Sequence, residues 1–542
     1  MASARRDGLG RALAGTGHLV RLALRRERGI APWWILLIVT LALVMVSYVN
    51  RNMGTYELKV TYTELATSNV FLRALGGGLP EPRLEVLATW RSGGFLYVAN
   101  ALAAVMSIIR HTRREEDAGR IELVRSGVVS RHAPLTAALL VAGGVSLAAG
   151  VLTAVVLIGI GFPVAGSVAY LAAITVAGWV FAAVAAVAAQ LARSARTATA
   201  IGLSVLGAAY VMRYAGDATG QHWLKALSPI GWSHLVRPYQ DERWWMLGVP
   251  VVAGAILYAV AYRLLDRRDL GAGLLPERLG RESAPELRGP ISLAWRLHRG
   301  LLAKWAAGVA CFAAAGAGLS PLTEDLLSRP SIVVENIMHG LGISDEGKTL
   351  AAYSWYLILI ISYAVALHPV LMTLRLRSEE TSGRAETVQS TPMTRLRWAA
   401  GHLVVTGLGT AALMAVAGLV FGTLYSLLVG DLVTDLPRFL AGALSTVPAA
   451  WCVGAVCMLA YGLLPRASVA ISWIVWLLTA ALGKVAGPLY GVFDGVPLEP
   501  FHYIPNAMIG TSFDARPTLA LVALTALLLG GALAALRRRD FG

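Results

Sequence analysis

Residues Arg113–Arg131 read RREEDAGRIELVRSGVVSR, and residues Arg377–Arg395 read RSEETSGRAETVQSTPMTR. An offset of 264 residues carries Glu115 onto Glu379, Glu116 onto Glu380, Gly119 onto Gly383, Arg120 onto Arg384, Glu122 onto Glu386 and Arg131 onto Arg395. Similar pairs flank them, with Arg28-Gly29 matching Arg299-Gly300, Arg196 matching Arg466 and Arg213 matching Lys484. Internal repetition of this kind organises large transporters. The chain therefore reads as two copies of one unit, 1–270 and 291–542, joined by the polar, Pro- and Gly-containing linker GAGLLPERLGRESAPELRGP at 271–290.

What each copy contains follows from composition. The 542 residues are 56% hydrophobic and 15% charged, where soluble domains carry roughly a quarter charged residues, and mean hydropathy is +0.62. Apolar runs of about 20 residues, the length needed to cross a bilayer, recur about twelve times. They fall at 33–50, 93–110, 135–160, 166–191, 197–212, 244–262, 304–320, 352–373, 398–429, 439–463, 467–483 and 517–536. The expected fold is an all-α polytopic membrane protein with two parallel six-helix repeats. The ninth run is long for a simple crossing and predicts a tilted or re-entrant end.

Orientation comes from Arg and Lys, which are retained on the cytoplasmic side of short loops. Arg21, Arg25, Arg26 and Arg28, then Arg110–Arg131, the linker, and Arg537–Arg539 are all basic, which predicts that the N- and C-termini are both cytoplasmic. The net charge of +15 is explained by this rule. It does not signal nucleic acid, because clustered bases interleaved with stacking aromatics are missing. The first apolar run has no small-residue cleavage site after it, so no cleavable signal peptide is expected. Cys311, Cys452 and Cys457 fall inside spans and suggest neither a disulfide framework nor a metal site. Each copy opens on a short basic amphipathic segment, GHLVRLALRRERG and ISLAWRLHRG, suited to lie along the inner interface with lipid.

The acidic residues of the repeated loops are not explained by topology, since carboxylates carry little weight in it. A span that runs into the cytoplasm and ends at a left-handed Gly would present carboxylates and Arg on a short stub, a shape suited to docking. The alternative is a solvated charged loop inherited by both copies. The pattern E-E-x-x-G-R-x-E, seen as EEDAGRIE and EETSGRAE and followed by VSR and MTR before a long apolar run, resembles that of two-repeat permeases of ABC type-2 exporters. These accompany polyketide-antibiotic and multidrug efflux in high-GC bacteria.

The resemblance implies a multi-pass permease subunit of the bacterial plasma membrane, exporting a hydrophobic or amphipathic small molecule. It further implies two copies of a separate ATP-binding subunit, which would hold the ATP and Mg, with no cofactor in this chain and no catalysis by it. On this reading Glu115, Glu116, Gly119, Arg120 and Glu122, with Glu379, Glu380, Gly383, Arg384 and Glu386, dock that subunit.

One motif points elsewhere. GISDEGKT, Gly342–Thr349, fits the phosphate-loop pattern, with Gly342, Gly347, Lys348 and Thr349 at its fixed positions. It falls in a predicted external loop with no strand of a βαβ unit before it, and reads as a chance match. His368 lies beside Pro369, whose ring frees a backbone carbonyl and kinks the helix. It is either a hydrogen-bonded core histidine or part of the substrate path. A proton-coupled secondary transporter shares the twelve-span plan, but neither loop carries its G-x-x-x-D-[RK]-x-G-[RK] signature. A lipid-linked glycosyltransferase would have to use Glu57, Glu64, Glu81 or Glu85, which lack a partner site.

Overall fold

The computed structural model describes residues 14–68, 73, 74, 76–78, 80–125, 129–269, 271–275, 283–318, 320, 321, 349–485, 496–506, 508 and 514–539. Among these residues the structure is helical, without strands, and the chain divides into two compact units, Met1–Leu279 and Gly280–Gly542.

The first unit contains α1 (Thr16–Glu27), α2 (Ala31–Asn52), α3 (Tyr56–Ser68), α4 (Leu84–His111), α5 (Arg113–Asp117), α6 (Arg120–Arg125), α7 (Ala133–Gly159), α8 (Val164–Leu191), α9 (Ala195–Thr219), α10 (His222–Leu227), α11 (Pro229–Leu235) and α12 (Gly248–Arg267). The second contains α13 (Pro290–Gly318), α14 (Thr349–Val365), α15 (Leu367–Thr381), α16 (Arg384–Gln389), α17 (Arg395–Leu428), α18 (Leu432–Ser445), α19 (Val447–Leu463), α20 (Ser468–Leu482) and α21 (Ala515–Arg538). In both units a short stub helix follows the second long one.

Among the described residues eleven helices are long and apolar enough to cross a membrane, counting α4–α5, α14–α15 and α18–α19 as one each. The segment expected at 467–483 is α20, with 15 residues, about 22 Å of helix at 1.5 Å per residue and short of a hydrocarbon core of about 30 Å. It stops at Gly483, where a Cβ would come within 2.3 Å of the Tyr363 hydroxyl. The ninth run forms a single uninterrupted helix of 34 residues, α17, without a re-entrant piece. Its first turn is polar, with Arg395 and Arg397, so its extra length lies partly beyond the apolar window. The breaks between α14 and α15 and between α18 and α19 have one cause. Pro369 and Pro448 each deprive the carbonyl four residues earlier, at Val365 and Leu444, of its donor, and the helices α14 and α18 end at those positions or one residue later.

Small residues let the helices of the first unit approach closely, the usual solution where lipid removes the hydrophobic drive between helices. α8 is central. Its Ala173, Ala177, Phe181, Ala182 and Ala185 pack with Tyr97, Ala101, Ala104 and Val105 of α4. At Gly178 a Cβ would meet Ser146 Oγ at 2.3 Å and Asn100 Nδ2 at 2.7 Å. Asn100, buried there, donates to the Ile174 carbonyl at 2.7 Å, satisfying a polar group that would otherwise be costly. In the second unit Trp355, Ile358 and Leu359 pack with Leu413, Ala417 and Phe421 of α17 and with Ala449 and Cys452 of α19.

The amphipathic openings differ between the units. α1 is a separate helix, because Pro32 at the start of α2 forces a new N-terminus. Its counterpart at 291–300 continues directly into α13.

Candidate functional site

The repeated loops begin where α4 and α15 leave the helical packing. Gly119 and Gly383 take φ of 69° and 72°, left-handed values that Gly adopts without a Cβ penalty. They turn the chain from α5 into α6 and from α15 into α16. The left-handed Gly expected from the sequence is present in both units.

Within these turns the carboxylates divide by position. Glu116 is largely buried and receives Arg268 in a bidentate contact at 2.8 and 2.9 Å, Arg113 at 2.8 Å and the Gly271 backbone N–H at 2.7 Å. Arg268 closes the end of α12. Glu380 receives Arg539, just after α21, at 2.5 Å through both carboxylate oxygens, and the Tyr461 hydroxyl at 2.5 Å. The far arginines of the pattern reach the same place, Arg131 donating to the Leu265 and Arg268 carbonyls and Arg395 to the Arg539 carbonyl. The second Glu and the distant Arg of each copy thus clamp the end of that unit's last long helix to its own stub.

The sequence analysis did not single out Arg268 and Arg539 as partners of these glutamates, yet the signal was present. RRDLG at 267–271 and RRDFG at 538–542 repeat at an offset of 271.

The first Glu of each pair has a different role. Glu115 meets Arg26 of α1 at 2.5 Å and Arg120 at 3.6 Å, while Glu379 meets Arg384 at 3.4 Å and Arg375 at 4.0 Å. Asp117 accepts from the Ala195 backbone N–H at 2.7 Å, an anion at the start of α9 where the helix dipole favours it. α1 is held a second time by Glu27, which takes Ser107 at 2.7 Å, His111 at 2.8 Å and Arg110 at 3.2 Å. Burial alone would raise the Glu27 pKa, but the hydrogen bonds from His111 and Ser107 and the Arg110 charge outweigh it and hold it below its ordinary value.

What these fastenings leave outward is a small set. Glu122 and Glu386 are exposed, and the Arg120 and Arg384 side chains are 53% and 57% exposed. Each pair stands on a stub helix whose base is clamped.

His368 is buried, with Nδ1 3.1 Å from Thr410 Oγ1 and Trp305 edge-on to its ring. Nearby, His298 Nε2 and His402 Nδ1 lie 2.8 Å apart, a buried pair that sequence reasoning missed because its members are far apart in the chain. An apolar cavity of about 360 Å³ in the second unit is lined by Leu301, Trp305, Phe312, Ile360 and Ile361, with Lys304 as its charged residue. It lies between α13 and α14. Of the phosphate-loop look-alike, Gly342, Gly347 and Lys348 lie outside the described residues, and Thr349 begins α14. Among the described residues no group of three or more His, Cys, Asp or Glu could hold a metal ion.

The comparisons with known proteins agree with an efflux permease. The family model described as the C-terminal domain of the multidrug efflux system permease Rv1217c matches residues 17–264 and 287–537, leaving out most of the linker. The multidrug efflux system permease protein Rv1217c of Mycobacterium tuberculosis (strain ATCC 25618 / H37Rv) is 38% identical over 540 residues, covering 98% of this chain and 96% of that protein. With long apolar helices in both units and a match that runs nearly end to end, the chain belongs to the Rv1217c family of multidrug efflux permeases.

Proposed function

We propose that this chain is the membrane subunit of an ATP-driven exporter of hydrophobic or amphipathic compounds, a two-repeat permease of ABC type-2 character. It would reside in a bacterial plasma membrane with both termini cytoplasmic, an arrangement that needs an even number of crossings and so counts α20, short as it is, as the twelfth, and work with two copies of a separate ATP-binding subunit. The observation that carries this reading is the matched pair of stubs. Each clamps its base internally through Glu116 or Glu380 and holds an Arg and a Glu outward, Arg120 and Glu122 or Arg384 and Glu386. A solvated loop needs no such clamp. A lever that transmits force from a partner to the end of a transmembrane helix does.

The compound itself would contact apolar walls. The cavity at Leu301, Trp305 and Phe312 falls within the roughly 300–1,000 Å³ range of small-molecule sites and has the mostly apolar lining such sites share. Trp305→Ala should reduce efflux of bulky apolar compounds while leaving partner assembly unchanged.

Co-purification with the ATP-binding subunit, coupled to an ATPase assay, tests the reading. Reversing Glu122 and Glu386 together to Lys should release the subunit, or uncouple hydrolysis from efflux, in a permease that still melts like wild type. Truncating a buried interfacial charge costs about 2–5 kcal/mol, enough to be seen in capture. Wild-type assembly and efflux from the doubly reversed protein would sink the docking assignment.

A further inference from the structure

The first unit carries a second cavity, of about 700 Å³, at the end opposite the stubs. It lies where Arg73 and Gly76–Gly78, the start of α4, the end of α9, and the segment from α10 to the start of α12 come together. Arg73, Lys225, Arg237 and Arg243 line it, together with Asp217, Trp90, Tyr97, His234 and Trp245. Lys225 is buried and donates to Asp217 Oδ1 at 2.8 Å and to the Gly77 carbonyl at 2.5 Å. Arg213, fully buried, stands behind Asp217 at 3.6 Å. Arg237 and Arg243 share Asp241 at 3.0 and 2.7 Å. Arg73 donates to the backbone carbonyls of Asp217 and Ala218 at 3.1 and 2.9 Å, so of these five cations four face the carboxylates Asp217 and Asp241 in pairs, and the balance around the cavity is positive.

The wall is built to bring backbone close. A Cβ on Gly76 would lie 2.0 Å from Trp90, and one on Gly77, at φ 92°, would lie 2.3 Å from His234. His234 is 8% exposed and, among the described residues, its Nε2 has no hydrogen-bond partner, a cost unless something else satisfies it.

We propose that this cavity binds an anionic amphiphile, its carboxylate or phosphate headgroup held by Lys225, Arg243 and His234 Nε2 and its apolar body against Trp90 and Trp245. Burial and the nearby Arg213 and Lys225 hold the His234 pKa well below its usual value, so the ring stays neutral and Nε2 can carry the proton and donate it to an anionic oxygen. Burial likewise lowers the Lys225 pKa even with Asp217 against it, and a second anion would offset that. Trp245 is 71% exposed, as suits a ring at a bilayer interface, which gives an amphiphile a lipid-facing route. Two sources supply this chemistry, an anionic lipid and an exported acid.

The test uses the full-length protein in lipid nanodiscs, with neither ATP nor a partner subunit, so its outcome is separate from that of the exporter reading. 2-Naphthyl phosphate, 2-naphthol and inorganic phosphate are titrated by thermophoresis. Naphthyl phosphate should bind at least tenfold tighter than either of the others. Arg243→Gln and Trp245→Ala, both at surface positions and checked for unchanged melting, should each weaken it by about tenfold. If phosphatidylglycerol in the disc competes in the wild type but not in Arg243→Gln, the occupant is a lipid headgroup; undiminished binding assigns the site to an exported acid. Equal binding of naphthol and naphthyl phosphate, or indifference to Arg243→Gln, would overturn the proposal.

Discussion

Glu116 and Glu122 are six residues apart in one repeated motif and have opposite surroundings. Glu116 is a buried acceptor for two arginines and a backbone N–H, so removing its charge leaves Arg113 and Arg268 uncompensated. Breaking one partner of a buried pair costs about 3–5 kcal/mol. Glu116→Gln should therefore lower the melting temperature of the purified permease, whereas Glu122→Gln, at an exposed position, should leave it unchanged and act only on capture of the proposed partner subunit. Equal melting of the two variants would refute the division of roles. Glu27 gives the corresponding pH signature. Its carboxylate is held below its ordinary value, so its contribution is fully present above the unfolded carboxylate pKa of about 4.3 and is lost as pH falls through the lower folded value. Detachment of α1, followed by a fluorophore on Arg21→Cys, should lag behind ordinary carboxylate protonation, and Glu27→Gln should loosen α1 at neutral pH, leaving it held by Arg26 on Glu115.

The stub depends on a turn as much as on its charges. At Gly119 and Gly383 an added Cβ meets nothing within 4 Å among the described residues, so a substitution there is opposed chiefly by the left-handed backbone, at about 1–2 kcal/mol for an ordinary L-residue. Gly119→Val should misdirect α6 and reduce capture of the proposed ATP-binding subunit with little loss of folding, while Gly119→Asn, which tolerates that region, should retain capture. Retention by both would remove the turn from the mechanism. Gly454 is limited by space instead. Its Cβ would sit 2.6 Å from Pro369 Cβ, where the kinked pair α14–α15 crosses α19, and Gly454→Val should destabilise by about 1–3 kcal/mol through overpacking, read as a lower melting temperature.

At the scale of the whole molecule, the long apolar helices were legible because a bilayer demands continuous hydrophobic length, and the stubs were legible because duplication printed them twice. The surroundings of the end of α20 were not, since there Gly483 lies against the hydroxyl of Tyr363, far away in the chain, which also accepts from the Lys484 N–H at 3.1 Å. The clamps were missed for a related reason: Glu116 and Arg268 are 152 residues apart, and charge counting sees arginines near a membrane as topology. The His298–His402 pair is the same case inside the bundle. The proposed sidedness is open to direct labelling. After replacement of Cys311, Cys452 and Cys457, single cysteines at Ala118 and Ser390 should react with an impermeant maleimide only in inside-out vesicles, and those at Thr67 and Val433 only in intact cells. Reaction of Val433→Cys from the inside would refute the proposed sidedness of the second repeat.

The clamp also bears on ancestry and gene architecture. Each repeat fastens its own last helix, through Arg268 onto Glu116 and through Arg539 onto Glu380, and residues 271–275 already lie against the first unit, with Leu275 donating to the Leu191 carbonyl at 3.0 Å. Neither seam needs the covalent join that follows. A gene cut after codon 275, with a new start placed before Pro290, should yield two polypeptides that each fold when co-expressed, which is the state a half-length progenitor would have occupied before fusion.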